Sequence, residues 1–292
     1  MSVFVAAERI PADAVAGLDV VHEPGPGVEA VLLMHEVRFG PAEMDELPAL
    51  KVIVTGSVGY DHVDVVAAAE RGIWVCNVPD YCVDEVADHT LALLLALVRG
   101  VVPLNAGTQA GGWDALSAGP LRTLPGLRVG IVGYGRIGTA VGRRLSALGC
   151  ELAVADVRDV GVPLTSLDGL LETSDAVTLH VPLTAATLGL IGAGEIARMR
   201  PGALLVNTAR GAVVELEPLV RALREGRLGG AALDVLPSEP PAELPAAPNL
   251  IVTPHAAWYS EQSERSVYAK AVESVQTALR GERPEAAVAE SI

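Results

Sequence analysis

The chain has 292 residues, half of them hydrophobic, with 36 acidic side chains against 21 basic ones and a formal net charge of −15. That length exceeds what one core usually organises and carries enough apolar material for two. The acidity opposes nucleic-acid phosphates and anionic membrane surfaces, and no basic run interrupts it, so neither a nucleic-acid partner nor a membrane partner is expected.

From the first residues, β-like runs at 3–6, 31–34, 51–54 and 73–76 alternate with helical stretches, a rhythm that predicts a parallel sheet. Met1 to Glu8 lacks a basic leader, and the longest apolar run, 91–98, falls far short of the ~18 residues a membrane span needs, so a cytoplasmic location is expected. Cys76, Cys82 and Cys150 form no Cys-x-x-Cys clip and read as free thiols. Cys82 and His89 share a segment, but no second Cys/His pair offers ligand spacing, so no metal is expected.

Residues 84–99 are acidic at their start and apolar on nearly every side beyond it, which predicts a helix buried on several faces and marks the passage between domains. The same helix is a candidate dimer contact. A polar, Gly-rich segment at 105–119 follows.

An apolar strand from Leu127 then runs into Gly133-x-Gly135-x-x-Gly138, with Asp156 about 20 residues further on. A dinucleotide's phosphates need backbone N–H groups at a helix start, here those of Arg136 and Ile137, with no side chain in the way. Gly133 and Gly135 remove that obstruction, and Gly138 lets helix 137–148 pack on the strand. Asp156 suits the ribose diol and repels a 2′-phosphate, which favours NAD over NADP. Arg158 is the dissenting residue, since it is able to reach a 2′-phosphate.

Further strands are expected at 152–156, 176–180, 204–207, 231–235 and 250–252, separated by helical stretches such as 215–225, with a last helix at 261–280 returning to the first domain. Right-handed crossovers put the strands' C-terminal ends on one edge, where ligands bind. Arg210, Glu239 and His255 each follow one of these strands. Hydride transfer between a nicotinamide and a 2-oxo carbon leaves an alkoxide in need of a proton, and histidine supplies one near neutral pH. His255 is therefore the candidate acid/base, Glu239 the carboxylate that fixes its tautomer and stabilises imidazolium, and Arg210 the fork that holds a carboxylate while polarising the adjacent carbonyl. His22, His35, His62, His89 and His180 lack such an arrangement and read as structural.

On these residues the chain resembles the D-2-hydroxyacid dehydrogenase family over essentially its full length. Ser57-Val58-Gly59, opening the run Ser57 to Asp64, resembles the family's substrate loop, whose backbone N–H groups bind the substrate carboxylate. Asn207-Thr-Ala-Arg210, Asp234-Val with Glu239-Pro, and Pro254-His255 match its catalytic segments. Within the family, 77–85 and 255–262 look most like the C-terminal-binding-protein branch, whose pocket tryptophan corresponds to Trp258. The resemblance further implies that Asp234 orients the nicotinamide carboxamide, that Val181, Pro182 and Thr208 lie along the cofactor, and that a homodimer works through an interdomain cleft.

The fold so implied is α/β, with two doubly wound parallel-sheet domains: a Rossmann NAD-binding domain, 89–263, inserted into a flavodoxin-like substrate domain made of 1–88 and 264–292. Two function classes follow. One is an NAD-dependent enzyme interconverting a 2-oxo acid and a D-2-hydroxy acid; the other is an NAD(H)-sensing, corepressor-like binding protein. Arg210, Glu239 and His255, all in place, favour the enzyme. A phosphorylated or phosphonate substrate wants a second cation, for which Arg38 is the one candidate, so an uncharged or modestly polar 2-oxo acid is expected.

Overall fold

The computed structural model describes residues 2–6, 10–11 and 13–288. The chain divides into two compact units, the first made of residues 1–81 and 259–292 and the second of residues 82–258.

In the first unit, strands β1 (Ser2–Ala6), β2 (Asp19–Val21), β3 (Val28–Leu33), β4 (Val52–Thr55) and β5 (Trp74–Cys76) form one sheet in the order β2-β1-β3-β4-β5. Every pairing is parallel. This is the flavodoxin-like order. Short helices α1 (Pro41–Asp45) and α2 (Val65–Glu70) lie along the chain between strands, and the last helix, α9 (Glu261–Leu279), returns to pack on β3 and β4. A parallel sheet covered on both faces has strands apolar at consecutive positions. Accordingly β4 is buried throughout, with Ile53 packed in a core with Val31, Leu33, Met44 and Val75.

The second unit contains α3 (Val83–Val98), α4 (Val101–Gln109), β6 (Arg128–Val132), α5 (Arg136–Ala147), β7 (Glu151–Ala155), α6 (Leu167–Thr173), β8 (Ala176–Leu179), α7 (Ala193–Arg198), β9 (Ala203–Asn207), α8 (Leu216–Arg224), β10 (Leu228–Leu233) and β11 (Leu250–Val252). Its six strands are all parallel, in the order β11-β10-β9-β8-β6-β7. Alternation along β9 sends Ala203 and Leu205 into one hydrophobic cluster and Leu204 and Val206 into the other, on opposite faces of the sheet. On the second face α3 packs against α5, β9 and β10, and Arg144 of α5 ties its acidic first turns through Asp84 at 2.9 Å and Asp88 at 2.6 Å. No single helix among the described residues is long and apolar enough to cross a membrane.

Three departures from the sequence expectations have physical causes. Strand β10 begins at Leu228 rather than 231, because Gly229 and Gly230 run close against the Gly202 and Asn249 backbones, where a side chain would not fit. The first third of the polar, Gly-rich segment at 105–119 is helix, since α4 restarts helical structure after Gly100, which sits in the left-handed region at φ 58°, and runs on to Gln109. Finally, the chain crosses between units at 81/82 and 258/259, where 88/89 and 263/264 were expected, so all of α3 lies in the second unit.

Candidate active site

The strand order of the second unit reverses at β6, with β8 on one side and β7 on the other, which opens a ligand crevice at the C-terminal ends of these strands. Gly133 leaves β6 at φ +87°, and a side chain there would begin 2.6 Å from the carbonyl oxygen of His180. At Gly138 a Cβ would run into the Gly133 carbonyl, so the first turn of α5 sits directly on the loop. Gly135 differs: above it a Cβ would meet only the Arg158 guanidinium, 3.7 Å away, and no side chain caps α5. The uncapped N–H groups at Arg136 and Ile137 and the open space over Gly135 fit a pyrophosphate. Val181 borders the same loop, and Pro182 beyond it is exposed, its carbonyl taking the Thr187 hydroxyl at 2.6 Å. Burial pushes the His180 imidazole down to about 3, so it stays neutral.

Asp156 follows β7, as expected, but its carboxylate is already engaged. It accepts from the Tyr134 N–H at 2.8 Å, from the Arg158 N–H at 2.9 Å and from the Arg158 guanidinium at 3.2 and 3.3 Å. Burial works against its charge, yet the Arg158 guanidinium and the two N–H groups prevail and hold the carboxyl at about 2. The residue expected to repel a 2′-phosphate is thus half-neutralised by the residue expected to attract one.

Three neighbouring strands deliver the other candidates. After β9, Asn207 clamps the turn, its Nδ2 donating to Arg210 O at 2.8 Å and its Oδ1 accepting from Ala209 N at 3.0 Å. Arg210 is extended, at φ −145° and ψ 137°, with Nη1 donating to Ala209 O at 2.8 Å. A side chain on Gly211 would land on the Leu236–Pro237 backbone, so the Arg210 turn is seated against the loop leading to Glu239. Glu239 accepts from Leu236 N through Oε1 at 2.8 Å and faces His255 Nδ1 through Oε2 at 2.6 Å. A carboxylate only accepts, so Nδ1 carries a hydrogen. Trp258 is half-buried at the end of this unit.

His255 has φ 51°, unusual outside glycine, and its turn is fastened to Asp234. Its N–H donates to Asp234 O at 2.8 Å, while the Asp234 carboxylate, 1 % exposed, accepts from Ala256 N and Ala257 N at 2.9 Å each and from the Thr253 hydroxyl. Burial opposes the charge, but His89, Thr253 and these two N–H groups keep the carboxyl below its usual range. Helix α3 reaches both catalytic loops through adjacent side chains. His89 Nε2 lies 3.1 Å from Thr253 Oγ1 and 3.4 Å from Asp234 Oδ1. Thr90 donates its hydrogen to Val86 O, so at 2.8 Å Thr208 must be the donor to Thr90 and keeps only acceptor capacity for a ligand. His89 reads from the sequence as structural, and Thr90 and Thr253 carry no local mark, because the pairs His89–Thr253 and Thr90–Thr208 span 164 and 118 residues.

In the first unit, Ser57 is buried, and its hydroxyl donates to Gly59 O at 2.6 Å. Thr55 then donates to Ser57 at 2.6 Å, and His62 Nε2 to Thr55 at 3.0 Å, in one directed chain. Asn77 Nδ2 holds the Val58 carbonyl at 2.7 Å. The side chains beneath 57–59 are spent on shaping the loop, which leaves its backbone to meet a ligand. Arg38 is exposed on this unit.

A reversed parallel sheet with a glycine turn at its crossover, and a carboxylate-backed histidine and an arginine on neighbouring strand ends, defines a nicotinamide-dinucleotide oxidoreductase. Residues 91–257 match the family described as D-isomer specific 2-hydroxyacid dehydrogenase, NAD binding domain, and the chain belongs to this family of NAD-dependent enzymes. It is 39% identical over 276 residues to the glyoxylate reductase of Thermofilum pendens, covering 89% of this chain and 81% of that one. It is 36% identical over 264 residues to the glycerate dehydrogenase of Methylorubrum extorquens, covering 86% and 83%. Among solved structures, the Aquifex aeolicus D-lactate dehydrogenase, complexed with NAD and lactic acid, superposes with a TM-score of 0.88 at 30% identity, covering 97% of this chain and 96% of that one.

Proposed function

We propose that this enzyme reduces a small, uncharged or modestly polar 2-oxo acid to the D-2-hydroxy acid, using NADH in preference to NADPH. The observation that carries this reading is the 2.6 Å contact between His255 Nδ1 and Glu239 Oε2, which puts a hydrogen on Nδ1 and so supports proton exchange through Nε2. In reduction, imidazolium His255 gives the Nε2 proton to the oxygen that was the 2-oxo carbonyl, and Glu239 steadies the charge until the proton leaves. In oxidation the neutral ring takes the hydroxyl proton back. Bound nicotinamide supplies or accepts the hydride. Arg210 holds the substrate carboxylate and polarises the carbonyl beside it, and backbone N–H groups of Ser57, Val58 and Gly59 share that carboxylate. Gly133, Gly135, Arg136, Ile137 and Gly138 hold the pyrophosphate and Asp156 the ribose. Val181, Pro182 and Thr208 line the nicotinamide side, Asp234 orients the nicotinamide carboxamide, and Trp258 borders the substrate's side chain.

The relatives' names make glyoxylate, and hydroxypyruvate as the oxo acid corresponding to glycerate, the first substrates to try. NADH consumption is measured with glyoxylate, hydroxypyruvate, pyruvate and a phosphorylated 2-oxo acid, then repeated with NADPH. Turnover of the uncharged acids is expected. Cofactor binding without turnover of any acid would instead describe a protein that uses NAD(H) only to set its shape, and preference for the phosphorylated acid would direct attention to Arg38.

The same reading makes the enzyme a cytoplasmic homodimer. Trp113 is 92% exposed and Leu116 81%, just beyond α4, which buries none of its own residues, and a second copy suits this apolar surface. Sedimentation of the wild type as a monomer would overturn the dimer.

A further inference from the structure

The catalytic histidine is carried on a backbone that an ordinary residue avoids, so something must hold it there. His255 has φ 51°, a left-handed conformation that a residue with a Cβ rarely adopts. Its turn is closed by Asp234, whose carboxylate takes the N–H groups of the two residues that follow, Ala256 and Ala257. The hydrogens around this carboxylate can be assigned by elimination. Asp234 has none to give, so Thr253 spends its only hydroxyl hydrogen on Asp234 Oδ1. Thr253 Oγ1 therefore faces His89 Nε2, 3.1 Å away, as an acceptor, and Nε2 carries a hydrogen. Nε2 also lies 3.4 Å from Asp234 Oδ1. A donor is required whether the ring is neutral or charged, and α3 is packed firmly enough to hold it, with Val86, Ala87 and Thr90 buried beside His89.

We propose that His89 is the positioning residue for His255: its Nε2–H, given to Thr253 beside the Asp234 carboxylate, fixes the turn on which the acid/base imidazole is carried. The role rests on the acid/base assignment of His255 for its effect on rate, but not for its effect on the turn. His89 orders Thr253 and Asp234; Asp234 orders the N–H groups of Ala256 and Ala257; and the turn so formed aims His255 while Glu239 fixes its tautomer. Loss of the donor removes an N–H from beside a buried carboxylate and frees Thr253 to rotate, and such loosening reaches chemistry through misplacement of the reacting group.

The test uses the full chain with His89→Leu, which removes the donor, and His89→Gln, whose amide N–H reaches the place of Nε2. Two readouts are taken: steady-state kinetics with NADH and glyoxylate, and amide hydrogen exchange at Ala256 and Ala257. His89→Leu should lower kcat at least ~tenfold with the KM for NADH nearly unchanged, and should speed exchange at both amides by a similar factor. His89→Gln should restore both to within about threefold of wild type. Unchanged exchange in His89→Leu, or a glutamine variant as impaired as the leucine one, would overturn the proposal. His255→Ala separates the two levels. If it retains turnover, the acid/base reading fails while the exchange data still judge His89; if it is inactive and His89→Leu is fully active, His89 fails alone.

Discussion

Two loops leave the same edge of the second unit's sheet, and they are held in opposite ways. The turn after β6 is held mainly by close backbone approach, Gly133 against the His180 carbonyl and Gly138 against the Gly133 carbonyl, with side chains reaching it at Tyr134, whose N–H donates to Asp156 and whose carbonyl accepts from Thr139. The turn after β11 is held by side chains, with Asp234, Thr253 and Glu239 gripping residues 255–257 and His89 behind them. The first must present N–H groups to a large anion and leave space for it, so side chains are removed. The second must aim one imidazole and keep its tautomer, so side chains are added. On the proposed reading, ligand binding is built by subtraction, and proton transfer by accumulation.

The comparison breaks first at His255. His255→Ala should lower kcat for 2-oxo acid reduction by ~10²–10⁴ with NADH affinity nearly unchanged, because the role proposed for the histidine is proton transfer. Wild-type turnover in that variant would remove the acid/base from this loop. Next is Arg210→Lys, which keeps the charge and loses the fork. It should raise KM and lower kcat together, costing kcat/KM at least ~1.5–3 kcal/mol, and a change confined to NADH binding would make Arg210 a cofactor residue.

On the other loop, Gly133→Ala should do the reverse. A methyl group at φ +87° and against the His180 carbonyl adds strain of roughly 1–3 kcal/mol, so the Kd for NADH should rise about tenfold or more while kcat at saturating NADH changes little. Titration by protein fluorescence measures the first quantity. A loss of kcat with unchanged binding would contradict the division of labour between the loops.

The smallest effect belongs to Asp156→Asn. Because Arg158 already offsets the carboxylate, the variant should narrow the preference for NADH over NADPH by about tenfold at most, and tighter NADPH binding in the wild type would show Arg158 prevailing. The carboxyl lies at about 2 in the folded protein, below its ordinary value, so its stabilising contribution is present above the ordinary carboxylate range and lost as pH falls towards 2. Acid-unfolding curves should therefore flatten between about pH 4 and 2 in the asparagine variant.

What the sequence determined by itself were the features whose chemistry is local in the chain. Runs of apolar residues specified the parallel strands, and three glycines with an acid at the right distance specified the dinucleotide turn, since steric room and positive φ leave a mark on the very residues that need them. Arg210, Glu239 and His255 were legible for a related reason: each follows a strand whose end faces the ligand edge. Tertiary structure alone decided what those residues lean on. Whether Asp156 acts as a lone charge depends on Arg158 folding back onto it. Whether a serine in the loop at 57–59 meets substrate or supports its own loop depends on Thr55 and His62. Whether His89 is an ordinary helix residue or a donor beneath the catalytic turn depends on Thr253, 164 residues away. Hydrogen bonds between distant side chains impose no spacing on the sequence, and the direction of each becomes fixed only when every neighbouring donor and acceptor has been counted in place.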